Sequence, residues 1–86
     1  MSGYYIDIPK SAKKSMAKIP LPRLVRIQQA IDRLEFEPYL GEKMQGKYSD
    51  KRKIRVWPYR IIYEIQEDIK YIKIMEIEPR GHTSYD

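Results

Sequence analysis

The period of hydrophobic and polar positions changes twice along this chain, and each change marks a new kind of element. Tyr4 to Ile8 alternates weakly, as a short strand does, and Pro9 ends it. Lys10 to Lys18 reads as a short helix, with Ala12, Met16 and Ile19 on one face and the lysines elsewhere. Pro20 and Pro22 break that pattern. Pro22 is tolerated in the first turn of a second helix, where the N–H it lacks has no partner within the helix. Leu24, Ile27, Ile31 and Leu34 then recur at helical spacing to about Phe36, so two helices joined at a proline pair form a helical hairpin. Pro38 and Gly41 mark the loop that follows.

From Met44 onward the period is two. Arg52 to Trp57 places Ile54 and Val56 on one face and Lys53, Arg55 and Trp57 on the other. Pro58 interrupts as a short turn or a bulge. Tyr59 to Gln66 resumes the alternation, with Tyr59, Ile61, Tyr63 and Ile65 opposed to Arg60, Ile62 and Glu64. Gln66 to Lys70 reads as a turn. Tyr71 to Ile77 is the last strand; apolar residues on both its faces place it centrally in the sheet. Pro79 ends it, and Arg80 to Asp86 form an exposed tail. The expected fold is α+β: an N-terminal strand, a helical hairpin, then three to four strands in a mostly antiparallel, twisted sheet with the helices on one face. At 86 residues the chain is one domain, 1–86, with a small core.

Composition narrows the class. The chain has no cysteine, which excludes disulfides and thiolate metal sites. No apolar run approaches the roughly 18 residues that span a bilayer, and Met1 to Ile8 lacks the basic and apolar regions of a signal peptide. The expected location is the cytoplasm, away from membranes. The formal charge is +5, and between Lys43 and Arg60 stand seven basic residues against one acid, Asp50. Such a block points to an anionic partner, either nucleic acid or an acidic protein.

The candidate chemistry lies on the polar sheet face. Lys53, Arg55 and Arg60 point to one side of adjacent strands, where like charges repel unless an anion neutralises them. Pro79-Arg80-Gly81-His82-Thr83-Ser84-Tyr85 follows the last strand and would bring a cation, an imidazole and a phenol to the rim of that face. A single histidine excludes a two-histidine ribonuclease, and no carboxylate cluster suggests two-metal cleavage. No glycine-rich loop precedes a helix, and no strand has the aromatic pattern of an RNA-recognition motif.

Several of these segments, taken together, resemble the RelE/ParE superfamily of bacterial and archaeal toxins: Lys10-Ser11-Ala12-Lys13-Lys14, Ala30-Ile31-Asp32-Arg33-Leu34, the Pro38 loop and the Gly46 turn. The strongest match is Arg52-Lys53-Ile54-Arg55-Val56 followed by Tyr59-Arg60-Ile61-Ile62-Tyr63-Glu64-Ile65, then Pro79-Arg80-Gly81 and Tyr85. The resemblance covers nearly the whole chain. It implies a RelE-like microbial-ribonuclease fold and the toxin of a toxin–antitoxin pair, with a cognate antitoxin as partner in a hetero-oligomer. The RelE branch cleaves messenger RNA in the ribosomal A site without metal; the ParE branch poisons DNA gyrase. A catalytically inactive homologue acting as a binding module is a third reading.

By resemblance, Lys53, Arg55, Arg60, Arg80 and Tyr85 fall on the catalytic positions of RelE-type enzymes, with arginine at position 55 where lysine is often found. The expected reaction is attack of the ribose 2′-OH on the adjacent phosphate, with neither metal nor cofactor. Tyrosine ionises near pH 10 in water, and neighbouring cations favour its phenolate, so Tyr85 beside Lys53 and Arg55 is the expected base. Arg60 and Arg80 would clamp the phosphate, both side chains facing solvent or substrate. His82, the one group ionising near neutrality, is a further candidate for proton transfer.

Overall fold

A computed structural model describes residues 3–48 and 50–79. In chain order the elements are β1 (Tyr5–Asp7), α1 (Lys10–Ala17), α2 (Leu21–Arg33), β2 (Glu42–Lys43), β3 (Lys51–Val56), β4 (Tyr59–Gln66) and β5 (Tyr71–Pro79). They form one five-stranded sheet in the order β1-β5-β4-β3-β2. The β1–β5 pair is parallel and every other pair antiparallel. This is the α+β arrangement the periodicity predicts, with β5 in the interior of the sheet.

Prolines set the helix starts. Pro9 and Pro20, both extended, immediately precede α1 and α2, and Pro22 lies in the first turn of α2, where no intrahelical N–H is needed. Ala12 from α1 and Ile27 and Ile31 from α2 join Leu34, Val56, Ile61, Tyr63, Ile72, Ile74 and Ile77 in one buried cluster. Each of the large aliphatic residues contributes roughly 1.5–3 kcal/mol by leaving water. The helices therefore cover the face that carries Val56, Ile61 and Tyr63, and leave the opposite face of β3 and β4 to the polar set.

Two details depart from the sequence reading. β2 is only two residues long and exposed, so it has no apolar alternation to betray it. It exists because Glu42 and Lys43 pair with Lys53 and Arg52, and because the Met44 N–H donates to the Lys51 carbonyl at 2.9 Å. β5 runs on through Pro79, and its register with β4 slips at Met75: Tyr63 opposes Ile74, whereas Ile62 opposes Glu76. One extra residue at a bulge switches the alternation, which is why a strict period of two finds apolar residues on both faces.

Candidate functional site

The β3–β4 register sets Arg55 opposite Arg60, Lys53 opposite Ile62 and Lys51 opposite Glu64. Cross-strand partners share a face, so Lys53, Arg55 and Arg60 do stand together, on the side of the sheet away from the helices. β5 adds what the sequence reading omits. Glu78 is the register partner of Arg60 and Glu76 that of Ile62, while Lys73 opposes Glu64. Across the sheet, one row therefore reads Arg55–Arg60–Glu78 and the next Lys53–Ile62–Glu76. Over these two rows the face is polarised, basic on β3 and acidic on the C-terminal end of β5. The expectation that these cations stand without counter-charge until an external anion arrives is corrected accordingly.

A second correction concerns Arg60. It is 2% exposed, not open to solvent. Its strand lies between β3 and β5, so residues on both flanks shade it, whereas Arg55, closer to the sheet edge, is exposed and Lys53 half-buried. A buried guanidinium needs a compensating charge, and Glu78 is the carboxylate in its row.

The remaining members of the basic block go elsewhere. Lys51 lies 3.4 Å from Asp50 and 3.5 Å from Glu64 and is locally neutralised. Arg52 points to the helix side, where its Nη1 donates to the Gly41 carbonyl at 2.7 Å and its guanidinium stacks 4.8 Å from the Tyr39 ring centre. An open cleft between α2 and the β3 edge is lined by Arg26 and Arg33 on the helix and by residues 53–56 along the strand. Helical spacing does not reveal these two arginines as neighbours of β3, because it says nothing about which strand they border. Arg33 also pairs with Glu37 at 3.2 Å.

Tyr63, the second tyrosine of the Tyr59-Arg60-x-x-Tyr63 stretch, has a structural task. Its hydroxyl donates to the Pro38 carbonyl at 2.8 Å and accepts from the Gly41 N–H at 2.9 Å. Those bonds hold the loop that leads into β2. Gly41 is obligatory there, since a Cβ would lie 2.7 Å from the Lys53 carbonyl oxygen. Burial raises the Tyr63 phenol above its ordinary value, outweighing the Gly41 hydrogen bond and the Arg52 charge. It stays protonated and serves as no base. Its contribution to stability is complete below the unfolded phenol value of about 10 and declines as pH rises above it. Tyr63→Phe strands a buried N–H and a carbonyl, so we expect a loss of about 1–3 kcal/mol in urea unfolding, with faster amide exchange at Gly41.

Arg80, His82 and Tyr85 lie outside the described residues. The last described residue, Pro79, pairs with Tyr59, adjacent to the Arg55–Arg60–Glu78 row.

The comparisons with known proteins agree with this architecture. A family model described as the ParE toxin of type II toxin–antitoxin system, parDE, matches residues 6–83. A chain of the archaeal RelE–RelB complex from Pyrococcus horikoshii OT3 is 30% identical, with 94% of this chain and 99% of that one covered and a TM-score of 0.77. A chain of the toxin–antitoxin complex RelBE2 from Mycobacterium tuberculosis is 20% identical, with coverage of 91% and 99% and a TM-score of 0.82. The isolated RelE toxin of E. coli is 14% identical, with coverage of 94% and 88% and a TM-score of 0.77. No curated protein sequence matches the chain.

Proposed function

We propose that this chain, which belongs to the ParE toxin family of type II toxin–antitoxin systems within the RelE/ParE superfamily, is a metal-free endoribonuclease that blocks translation by cutting messenger RNA on the ribosome. The observation that carries the reading is the exposed Arg55 and half-buried Lys53 on one strand, backed by the buried charge of Arg60 in the same sheet face. The 30% identity to the archaeal RelE–RelB chain over nearly the whole length supports the RelE side of the superfamily.

In this mechanism Lys53 and Arg55 touch the scissile phosphate, and Arg60 supplies fixed positive charge from beneath them. Preorganised charge aimed at a developing phosphorane is usually the largest catalytic contribution. Arg80 completes the clamp, Tyr85 takes the proton of the 2′-OH, and the 5′-oxygen takes a proton from water as its bond to phosphorus breaks. His82 is the alternative proton carrier, because its ring ionises near neutrality. The product is a 2′,3′-cyclic phosphate and a free 5′-hydroxyl. The site of action is the cytoplasm, where a cognate antitoxin would hold the toxin silent in a hetero-oligomer.

A second reading, inhibition of DNA gyrase, is favoured by the match of residues 6–83 to the ParE family model. Purified protein added to a cell-free translation extract, with mapping of messenger RNA ends, separates the two. Cleavage ending in cyclic phosphates is the expected result. Normal translation alongside stalled gyrase supercoiling would reject it, and inertness in both assays would leave a binding module.

Antitoxin binding follows from the same charges. An acidic or amphipathic segment laid over the sheet face or the helical pair should bind more weakly as salt rises, because exposed charges are screened within about 10 Å at 0.1 M. Titration calorimetry at several ionic strengths measures this. Affinity indifferent to salt would mean an apolar interface on the helices.

A further inference from the structure

We infer that Glu78 is a positioning residue that holds the buried guanidinium of Arg60 on the sheet face, and that the ribonuclease proposed above depends on it for the geometry of its cationic row. The inference rests on that functional reading for its catalytic half and on the sheet alone for its structural half.

Three observations carry it. Arg60 is 2% exposed, and its Nε and Nη1 are buried without a hydrogen bond, so charge in the same row is what compensates them. The register gives Arg60 two cross-strand neighbours, Arg55 on β3 and Glu78 on β5. One is a like charge, which pushes the guanidinium away; the other is a carboxylate, which draws it in. Glu78 itself is half-buried, and its Oε1 is buried without a hydrogen bond, so that oxygen acts on the guanidinium as a nearby charge in the same row and not through a bond of its own. An arginine between a cation and a carboxylate has a preferred side, because one neighbour repels its charge and the other attracts it. Glu76, one row away and exposed, lacks the direct register with Arg60.

The consequence for chemistry is specific. With Glu78 ionised, Arg60 leans toward β5, and Arg55 is free to turn outward to substrate. With Glu78 neutralised, the two guanidiniums compete for the same space, and the charge beneath the phosphate is displaced. Displacement of a positioning group by about 1 Å lowers a rate by up to roughly 100-fold. Substrate affinity should change little, because the exposed cations Lys53 and Arg55 remain.

The test is a double-mutant cycle on the full chain with Glu78→Gln, Arg60→Ala and the pair, measuring kcat and KM for RNA cleavage and the unfolding equilibrium in urea. Glu78→Gln keeps the shape of the side chain and removes only its charge. The expected result is a kcat lowered roughly 10- to 100-fold with KM within about twofold. In the Arg60→Ala background, Glu78→Gln should lower kcat no further. The unfolding constants should couple by at least about tenfold between positions 60 and 78. Equal losses of kcat in both backgrounds, or a rise in KM alone, would overturn the positioning role. Additive unfolding constants would overturn the contact itself. Should Arg60→Ala fail to fold, Arg60→Gln takes its place in the cycle. If the wild-type chain cleaves no RNA, the ribonuclease reading falls with the catalytic half of this inference, and the unfolding cycle still decides whether Glu78 holds Arg60.

Discussion

Arg60→Ala should lower the cleavage rate by about two to three orders of magnitude, the usual loss for one preorganised charge at a developing anion, and should also destabilise the fold. The second effect follows from the burial of the side chain. Were Arg60 on an open surface, truncation would leave stability almost unchanged. At 2% exposure the substitution opens a void between β3 and β5 and removes the positive charge that shares a row with the half-buried Glu78. Breaking a buried pair in this way costs roughly 3–5 kcal/mol, a large share of the 5–15 kcal/mol that holds small domains together. Rates must therefore be measured on protein shown to be folded, by comparing urea midpoints and circular dichroism with wild type. Arg55→Ala is the control: it is exposed, so its rate should fall with little change in midpoint. A fall in rate for Arg60→Ala with an unchanged midpoint would mean that the Arg60 side chain contributes nothing to the stability of the fold. An unchanged rate in folded protein would remove Arg60 from the mechanism.

The elements of this fold were legible in the sequence wherever one physical signal dominated. The α2 face of Ile27 and Ile31 and the β4 face of Ile61 and Tyr63 follow directly from helical and strand periods, and both are buried as the pattern requires. The grouping of Lys53, Arg55 and Arg60 was legible for the same reason, since the alternation that turns Ile54, Val56 and Ile61 to the core must turn those cations to the opposite side. What was not legible depends on register between segments distant in sequence. Glu78 meets Arg60 only because β5 slips by one residue at Met75, and no local pattern fixes where a bulge falls. The same holds for Arg26 and Arg33, which line a cleft along the β3 edge because α2 docks beside that strand. The role of Tyr63 was hidden differently. Its position on the core face was correct, yet the hydroxyl's partners are backbone groups of Pro38 and Gly41, more than 20 residues away. Side-chain periodicity carries no information about backbone partners.

Tyr85→Phe should slow cleavage by about 10²- to 10⁴-fold, the range for loss of a general base, while leaving folding and RNA binding intact. The substitution deletes one oxygen and retains the ring, so any effect on stability is small. Its specificity comes from proton inventory. The 2′-OH must lose a proton as it attacks, and an arginine cannot accept one, because guanidinium remains protonated above about pH 12. Lys53, as ammonium, is likewise a donor. Of the two tail candidates for the base, Tyr85 is assigned by resemblance and the His82 imidazole by its ionisation near neutrality. They predict different pH–rate profiles. With a phenolate base, log(rate) climbs with pH beyond neutrality, since only the ionised fraction accepts a proton, and this climb disappears in Tyr85→Phe. With an imidazole base, the climb levels near the histidine value of about 6.5, and Tyr85→Phe retains it. Single-turnover cleavage from pH 5 to 9, measured for wild type, Tyr85→Phe and His82→Ala, reads both outcomes directly. A Tyr85→Phe enzyme at wild-type rate beside an inactive His82→Ala enzyme would transfer the base role to the imidazole.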